Sequence, residues 1–338
     1  MIDVAIAGGG PVGLATALYA VRAGLTVTVF EPRGGPIDKA CGEGLMPGAL
    51  AALEDLGVSP HGMPLRGIRY VRDGHRAEAV FRHGPGRGVR RTTLHAALSS
   101  ACAAVGVQLL PEPVTAVTPR PGSVLVNGRR AGYLVAADGL HSPTRRLLGL
   151  NGRPLRRRRY GQRVHVHTEP WTDLVEVHWS PVAEAYVTPV AEDRVGVAVL
   201  TASREPFASL LPGFPGLVDR LADVPVSRVL GAGPLRQRSR RRVAGRVLLV
   251  GDASGYVDAL TGEGIALGLA QASAAVDAIA AGRPECYELA WRRVSWRYQL
   301  LTHTLLGAAR VPPARRALVP LAAALPGVFG AAVNELAR

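Results

Sequence analysis

Lysine is almost absent from this sequence. Lys39 is the single lysine in a chain whose lysines and arginines together number 40 and whose formal net charge is +14. The basic excess is therefore arginine, and it is spread along the chain, which reads as coding bias on a solvated surface. Aromatic residues are scarce as well, at 5%. The densest arginine clusters, Arg156–Arg159 and Arg238 with Arg240, Arg241 and Arg242, have no interleaved aromatics to stack on bases, which excludes nucleic acid as a partner. A basic rim that attracts phosphate groups stays open as a second use of the same arginines.

Paired cysteines and long apolar runs are missing too. Cys41, Cys102 and Cys286 show no CxxC spacing, so neither a zinc site nor an iron–sulfur cluster is expected, and no metal is assigned. Reduced thiols in a cytoplasm are expected. No basic segment precedes the first apolar run, so no signal peptide is expected. The stretch Ala317 to Val333 is apolar but short for a membrane span, and Pro320, Pro326 and Gly327 interrupt it. It reads as a helical hairpin that either packs on the protein or touches the inner face of a membrane. With 338 residues, 48% of them hydrophobic, the chain can bury a sizeable core as one large domain or two intimate ones.

Glycine is plentiful, and its placement carries the reading. Gly8, Gly10, Pro11, Val12 and Gly13 follow a strand pattern (Val4, Ile6) and lead into a helical stretch, the context a GxGxxG turn requires. Gly8 makes the tight turn, Gly10 lets the backbone approach a pyrophosphate, and Gly13 allows close helix packing. The helix start then offers unpaired N–H groups and partial positive charge to phosphate. Glu31 ends the next apolar run, Leu25 to Phe30, at the spacing where a carboxylate accepts hydrogen bonds from an adenosine ribose. Pro32 and Arg33 follow it, and Arg33 either lies against the adenine or is exposed.

Further along, a helix over Thr92–Ala104 and strands at 107–110, 124–126 and 133–136 return to the first sheet, the last ending in Asp138-Gly139. From Val164 to Leu200 the pattern alternates in four runs, which predicts an antiparallel meander with turns at Glu169-Pro170 and Ala191-Glu192-Asp193. His165, His167 and His178 on these strands read as plain surface rather than metal ligands. Arg246 to Val250 then returns to the first sheet, ends in Gly251-Asp252, and is followed by Gly262-Glu263-Gly264-Ile265 at the head of a long helix.

In order and spacing, Gly8 to Gly13, Glu31, Asp138-Gly139 with Ser142 and Arg145, and Gly251-Asp252 resemble the FAD-dependent superfamily of p-hydroxybenzoate hydroxylase and the geranylgeranyl reductases. The resemblance covers residues 1 to about 280. It implies an α/β fold: an FAD-binding Rossmann-like (GR2-type) domain with an inserted antiparallel β-sheet substrate domain. The FAD-binding part would comprise residues 1–65, 91–160 and 241–282; residues 66–90 would be a substrate-domain hairpin, 161–240 the substrate sheet and 283–338 a C-terminal helical region. It further implies FAD as cofactor, Arg91 beside the ribityl and pyrophosphate region, Asp138, Gly139 and Asp252 at the cofactor, and Gly262 to Ile265 directing a helix dipole at the flavin. No second GxGxxG serves a nicotinamide cofactor, in keeping with a superfamily in which NADPH or NADH acts as a transient hydride donor.

The reaction is less determined. Gly255 and Ala259 replace the histidine and proline of the hydroxylase motif, while Lys39 to Gly44 and Thr261 to Ile265 look like the geranylgeranyl reductase branch. Against that branch, only Tyr186-Val187-Thr188-Pro189 stands where its Tyr-x-Trp-x-Phe-Pro pocket motif belongs, and the region beyond residue 285 looks short for enclosing a long chain. The balance favours monooxygenation of a hydrophobic phenolic or polyketide-like small molecule, with alkene reduction in an isoprenoid or related lipid as the alternative. A halogenase lacks its Trp-x-Trp-x-Ile-Pro signature, and a flavin-binding protein without turnover is a further alternative. Tyr186 and Cys41 are the catalytic candidates, as wall or proton donor. Monomer and homodimer are both compatible with the sequence.

Overall fold

The computed structural model describes residues 2–153, 158–222 and 224–338; Arg156 and Arg157 of the first basic cluster lie outside them. The chain opens on the strand Ile2–Ala7, whose Val4, Ala5, Ile6 and Ala7 are all buried because the strand is covered on both faces. It pairs in parallel with Val27–Phe30 on one side and Arg129–Ala136 on the other, and Arg129–Ala136 pairs in parallel with Val247–Leu249. The register is what matters for function. Ala7 lies opposite both Phe30 and Ala136, and Ala136 lies opposite Leu249. Four neighbouring strands therefore end level, and the segments that follow them, Gly8 onward, Glu31, Asp138-Gly139 and Gly251-Asp252, emerge together at the carboxyl edge, where open α/β sheets bind ligands.

The helices on this sheet form from small and branched apolar residues. Pro11–Arg22 begins on a proline, which has no N–H to leave unpaired in the first turn. Arg91–Ala104 packs on it through Leu94, Leu98 and Cys102. Burial pushes the Cys102 thiol up to about 12, so it packs as a small apolar group. Gly264–Ala280 crosses Pro11–Arg22 at Gly268, where an added Cβ would lie 2.4 Å from Val12 Cγ2.

The inserted sheet corrects the expected meander. Its order is Leu230–Ala232, Tyr160–Val166, Arg194–Thr201, Ala183–Ala191, Leu174–Trp179, Gly67–Arg72, His75–Val80. Only the three strands from Leu174 to Thr201 run as a meander. Tyr160–Val166 pairs with Arg194–Thr201, and Leu174–Trp179 pairs in parallel with Gly67–Arg72, so the segment around Glu169-Pro170 crosses the sheet instead of closing a hairpin. Alternation identifies a half-buried strand and says nothing about its neighbour. The turn at Ala191 to Asp193 does join adjacent strands.

The C-terminal region encloses more than its length suggests. Tyr287–Arg310 runs along Gly264–Ala280, and the helices Pro312–Ala324 and Pro326–Leu336, bent by 102°, lie on His75–Val80. Phe329 packs at a tilt of 55°, ring centroids 4.8 Å apart, on Tyr70 of the inserted sheet, and Gly48 N donates to Ala337 O, which holds the last helix against the helix Pro47–Asp55. Arg315 is buried among the Ser180 and Ala183 carbonyls and Glu184, a carboxylate that also holds Arg159. Among the described residues no single helix is long and apolar enough to cross a membrane.

Candidate functional site

The glycine turn is built by exclusion. Gly8 has φ +99°, a region that strains any residue with a Cβ, and a Cβ there would stand 2.7 Å from the Ala137 carbonyl oxygen. At Gly13 a Cβ would lie 1.9 Å from the Gly8 oxygen, whereas at Gly10 it would meet nothing within 4 Å. The turn is tight beneath and open above, and no side chain caps the helix Pro11–Arg22, so its first N–H groups are free for an anion. His95 supports the turn from below: Nε2 lies 3.0 Å from the Gly9 carbonyl and Nδ1 3.4 Å from the Ser99 hydroxyl. Burial pushes its pKa down, so the ring is neutral and Nε2–H donates to Gly9. The signal for His95 in the sequence is a histidine on the apolar stripe of Leu94, Leu98 and Cys102; its partner Gly9 lies 86 residues away.

Glu31 ends its strand beside the turn, and Gly9 N donates to its Oε2 at 2.9 Å. Arg33 is exposed, one of the two expected positions, and is at the same time paired with Glu31. Its Nε and Nη2 donate to the two Glu31 oxygens at 2.8 and 2.9 Å, and its own N–H adds a third bond. Burial raises the pKa of Glu31, but these bonds outweigh it and hold the carboxyl below its ordinary range. Arg33 is more than half exposed on its side chain, so a ribose that bonds Glu31 displaces a surface guanidinium and no buried group. Pro32 follows Glu31 on the exposed rim.

The motifs interlock. Val12 packs on Gly251, where a Cβ would come within 3.3 Å. Asp138 accepts from Thr144 N at 2.8 Å, and Ser142 Oγ accepts from Arg145 N at 2.9 Å, so a short helical turn fixes the loop. Arg145, 2% exposed, donates to the carbonyls of Leu140 and Ala253 at 2.9 Å each and to Asn151 Oδ1 at 2.8 Å. It bolts the middle motif to the last one. Lys39 Nζ stands 3.7 Å from Asp252 Oδ2 at the same edge.

Above this edge lies a cavity of about 290 Å³ that runs from Gly10 and Arg91 past Asp138 and Asp252 to the helix start at Gly262–Ile265, and on to the inserted sheet and the last helix. Among the described residues four that line it carry buried polar atoms with no partner: Arg91 Nε, Asp138 Oδ1, Arg163 Nε and Glu263 Oε1. Orphaned groups beside an open glycine turn and an uncapped helix start fit an extended dinucleotide, and FAD fits this edge. Gly8 to Gly13, Glu31, Arg91, Asp138, Asp252 and the turn Gly262–Ile265 would hold it; bound there, FAD supplies two-electron redox chemistry.

The substrate end departs from expectation in its histidines. His165 is buried, with Nε2 2.6 Å from Glu43 Oε2 and Nδ1 3.0 Å from Arg163 Nη1; it is not surface. Glu43, at φ +59°, also accepts from Arg91 N at 2.8 Å, and Arg163 pairs with Asp38. Together with a bond from Thr188 Oγ1 to the Gly42 carbonyl, these contacts pin the loop 38–44 that carries Cys41. Cys41 and Tyr186 both line the cavity, but the Tyr186 hydroxyl donates to the Leu260 carbonyl at 2.6 Å. Among the described residues no cluster of three or more His, Cys, Asp or Glu is placed to hold a metal.

Comparison with known proteins agrees with this geometry. The FAD binding domain family matches residues 1–108. A menaquinone reductase of Mycolicibacterium smegmatis is 30% identical over 331 residues, covering 86% of this chain and 79% of its own length. A digeranylgeranylglycerophospholipid reductase of Methanothermobacter thermautotrophicus is 26% identical and covers 79% of this chain and 74% of its own. In fold, the geranylgeranyl bacteriochlorophyll reductase-like protein of Thermoplasma acidophilum superposes with a TM-score of 0.81 at 18% identity, over 99% of this chain and 95% of that one. The chain is an enzyme, and it belongs to the family of FAD-dependent oxidoreductases that holds the menaquinone and geranylgeranyl reductases and their monooxygenase relatives.

Proposed function

We propose that this enzyme reduces a carbon–carbon double bond in an isoprenoid lipid, with NADPH or NADH as the transient donor to its FAD. One observation carries the reading. The walls that the inserted sheet and the last helix give the cavity are largely hydrocarbon, including Ile68, Val177, Leu200, Leu235, Val333 and Leu336. Such walls hold an apolar chain through buried area, at roughly 25 cal/mol per Å², and the guanidinium on them, Arg163, is already paired with Asp38 and so is no free anchor for a phenol. The likeness to a menaquinone reductase and to a digeranylgeranylglycerophospholipid reductase, each over most of the chain, supports an isoprenoid lipid as the substrate. This reading reverses the preference drawn from the sequence, because the C-terminal helix reaches back to wall the cavity. Monooxygenation of a phenolic molecule is the second reading, favoured by the missing aromatics of the pocket motif at Tyr186-Val187-Thr188-Pro189.

The chain's own residues position and exclude. The loop 38–44, pinned by Glu43, His165 and Thr188, covers the redox edge, while Leu336 and Ala337 line the far end and keep water from the reacting atoms. A lipid substrate also requires a place to enter. Residues 317–334 carry no charge, and Leu321, Leu325 and Val328 at the bend are 57%, 54% and 66% exposed, with Arg310 and Arg316 exposed nearby in sequence. That elbow suits an anionic bilayer surface. Flotation with anionic vesicles tests it: Leu321→Asp with Leu325→Asp should stay behind while the parent protein floats, and equal flotation of both removes the elbow from the proposal.

The reaction is tested anaerobically. Reduced enzyme mixed with menaquinone should return to oxidised flavin as two hydrogens appear in the isoprenoid chain by mass spectrometry. No reoxidation without oxygen, but a hydroxylated phenol in air, would establish the second reading instead.

A further inference from the structure

Glu263 stands between Gly262 and the helix Gly264–Ala280 and lines the cavity, 7% exposed. Its Oε1 is buried without a partner, and among the described residues no hydrogen bond or cation meets either carboxyl oxygen. An ionised carboxylate there would have the helix start as its compensation but no hydrogen bond or counter-ion, which a buried charge requires. Burial pushes its pKa up to about 9, and the charge of Glu335 on the last helix adds to the effect, so Glu263 keeps its proton at neutral pH. Glu335 is itself paired with Arg297 and Arg338, and among the described residues the phenols of Tyr70 and Tyr298 also face Glu263.

The phenols of the cavity are poorer donors. Burial pushes Tyr70, Tyr186 and Tyr256 well above the ordinary phenol range, and the Tyr186 proton is held by the Leu260 carbonyl. A carboxylic acid that is neutral yet closer to working pH transfers its proton more readily.

Resting on the alkene-reduction reading above, we propose that Glu263 is the proton donor for that reaction. The step balances: the Glu263 O–H bond breaks and its proton forms a C–H bond at one carbon of the double bond. The π bond is lost, and the other C–H bond comes from a hydride supplied by the NAD(P)H-reduced cofactor. The negative charge is left on Glu263, which regains a proton from water.

The test joins a protonation readout to a rate. The infrared spectrum of the holoenzyme at pH 7.5 should show a carboxylic-acid C=O stretch that is missing from Glu263→Gln. Anaerobic single-turnover reduction of menaquinone should slow by about 100-fold or more in that variant. In the parent enzyme the same rate should hold at neutral pH and fall as pH passes about 9. An active parent enzyme without the band, or a Glu263→Gln enzyme of near-parental rate, overturns the donor role alone. A parent enzyme that has the band and reduces no alkene overturns the alkene reading, and the donor role with it.

Discussion

The two ends of the cavity are made of different materials. The dinucleotide end is backbone: glycines that leave room, a helix start that offers N–H groups, and strands that end level. The substrate end is side chains from segments far apart in the sequence, among them Glu43 with His165, Tyr186 with Leu260, and the last helix against the inserted sheet. At Gly8 and Gly13 that backbone site has no slack, since one added carbon meets another main chain. A side-chain site can lose one contact and keep its shape.

That contrast is easiest to break at Gly13. Gly13→Val puts a branched side chain where even a Cβ would lie 1.9 Å from the Gly8 oxygen, and FAD affinity should fall by about 100-fold, roughly 2.7 kcal/mol. Flavin titration of the purified protein reads it, and a yellow variant of normal affinity would mean that the turn is softer than described. Arg145→Ala comes next. It strips partners from buried carbonyls in two motifs, and denaturant unfolding should show a loss of about 3 kcal/mol.

A third test separates charge from shape. Glu263 sits at about 9 when folded and near its ordinary value of 4.5 when unfolded. The native state therefore holds a proton that the unfolded chain has released, and this contribution to stability is lost as pH rises from about 4.5 to about 9. Glu263→Gln should gain stability on its parent across that window in thermal melts; parallel curves would show that the carboxyl is ionised in the fold. The smallest effect is expected at Tyr186→Phe, which leaves the Leu260 carbonyl without its donor and should cost about 1 kcal/mol with flavin affinity unchanged. A loss of flavin in that variant would erase the distinction between the two ends.

Legibility followed the same division. The turn at Gly8 to Gly13, the strand ends at Glu31, Asp138 and Asp252, and the helix at Gly264 could be located in the sequence because each is a local pattern of spacing and residue type. Strand partners could not. Leu174–Trp179 lies beside Gly67–Arg72, and nothing in alternation specifies a neighbour some hundred residues away. His165 looked like surface because its partner, Glu43, is 122 residues distant. The pairing of Arg33 with Glu31 could not be read from the sequence because it depends on how the chain turns after the strand.

By itself, then, the sequence determined the nucleotide-binding architecture, since steric room at glycine and the period of buried strands are properties of neighbours along the chain. Tertiary structure alone decided which carboxyl is neutral, which histidine is buried and how far the C-terminus encloses the cavity. Desolvation and charge pairing act through space, and their strength is set only once distant segments have packed together.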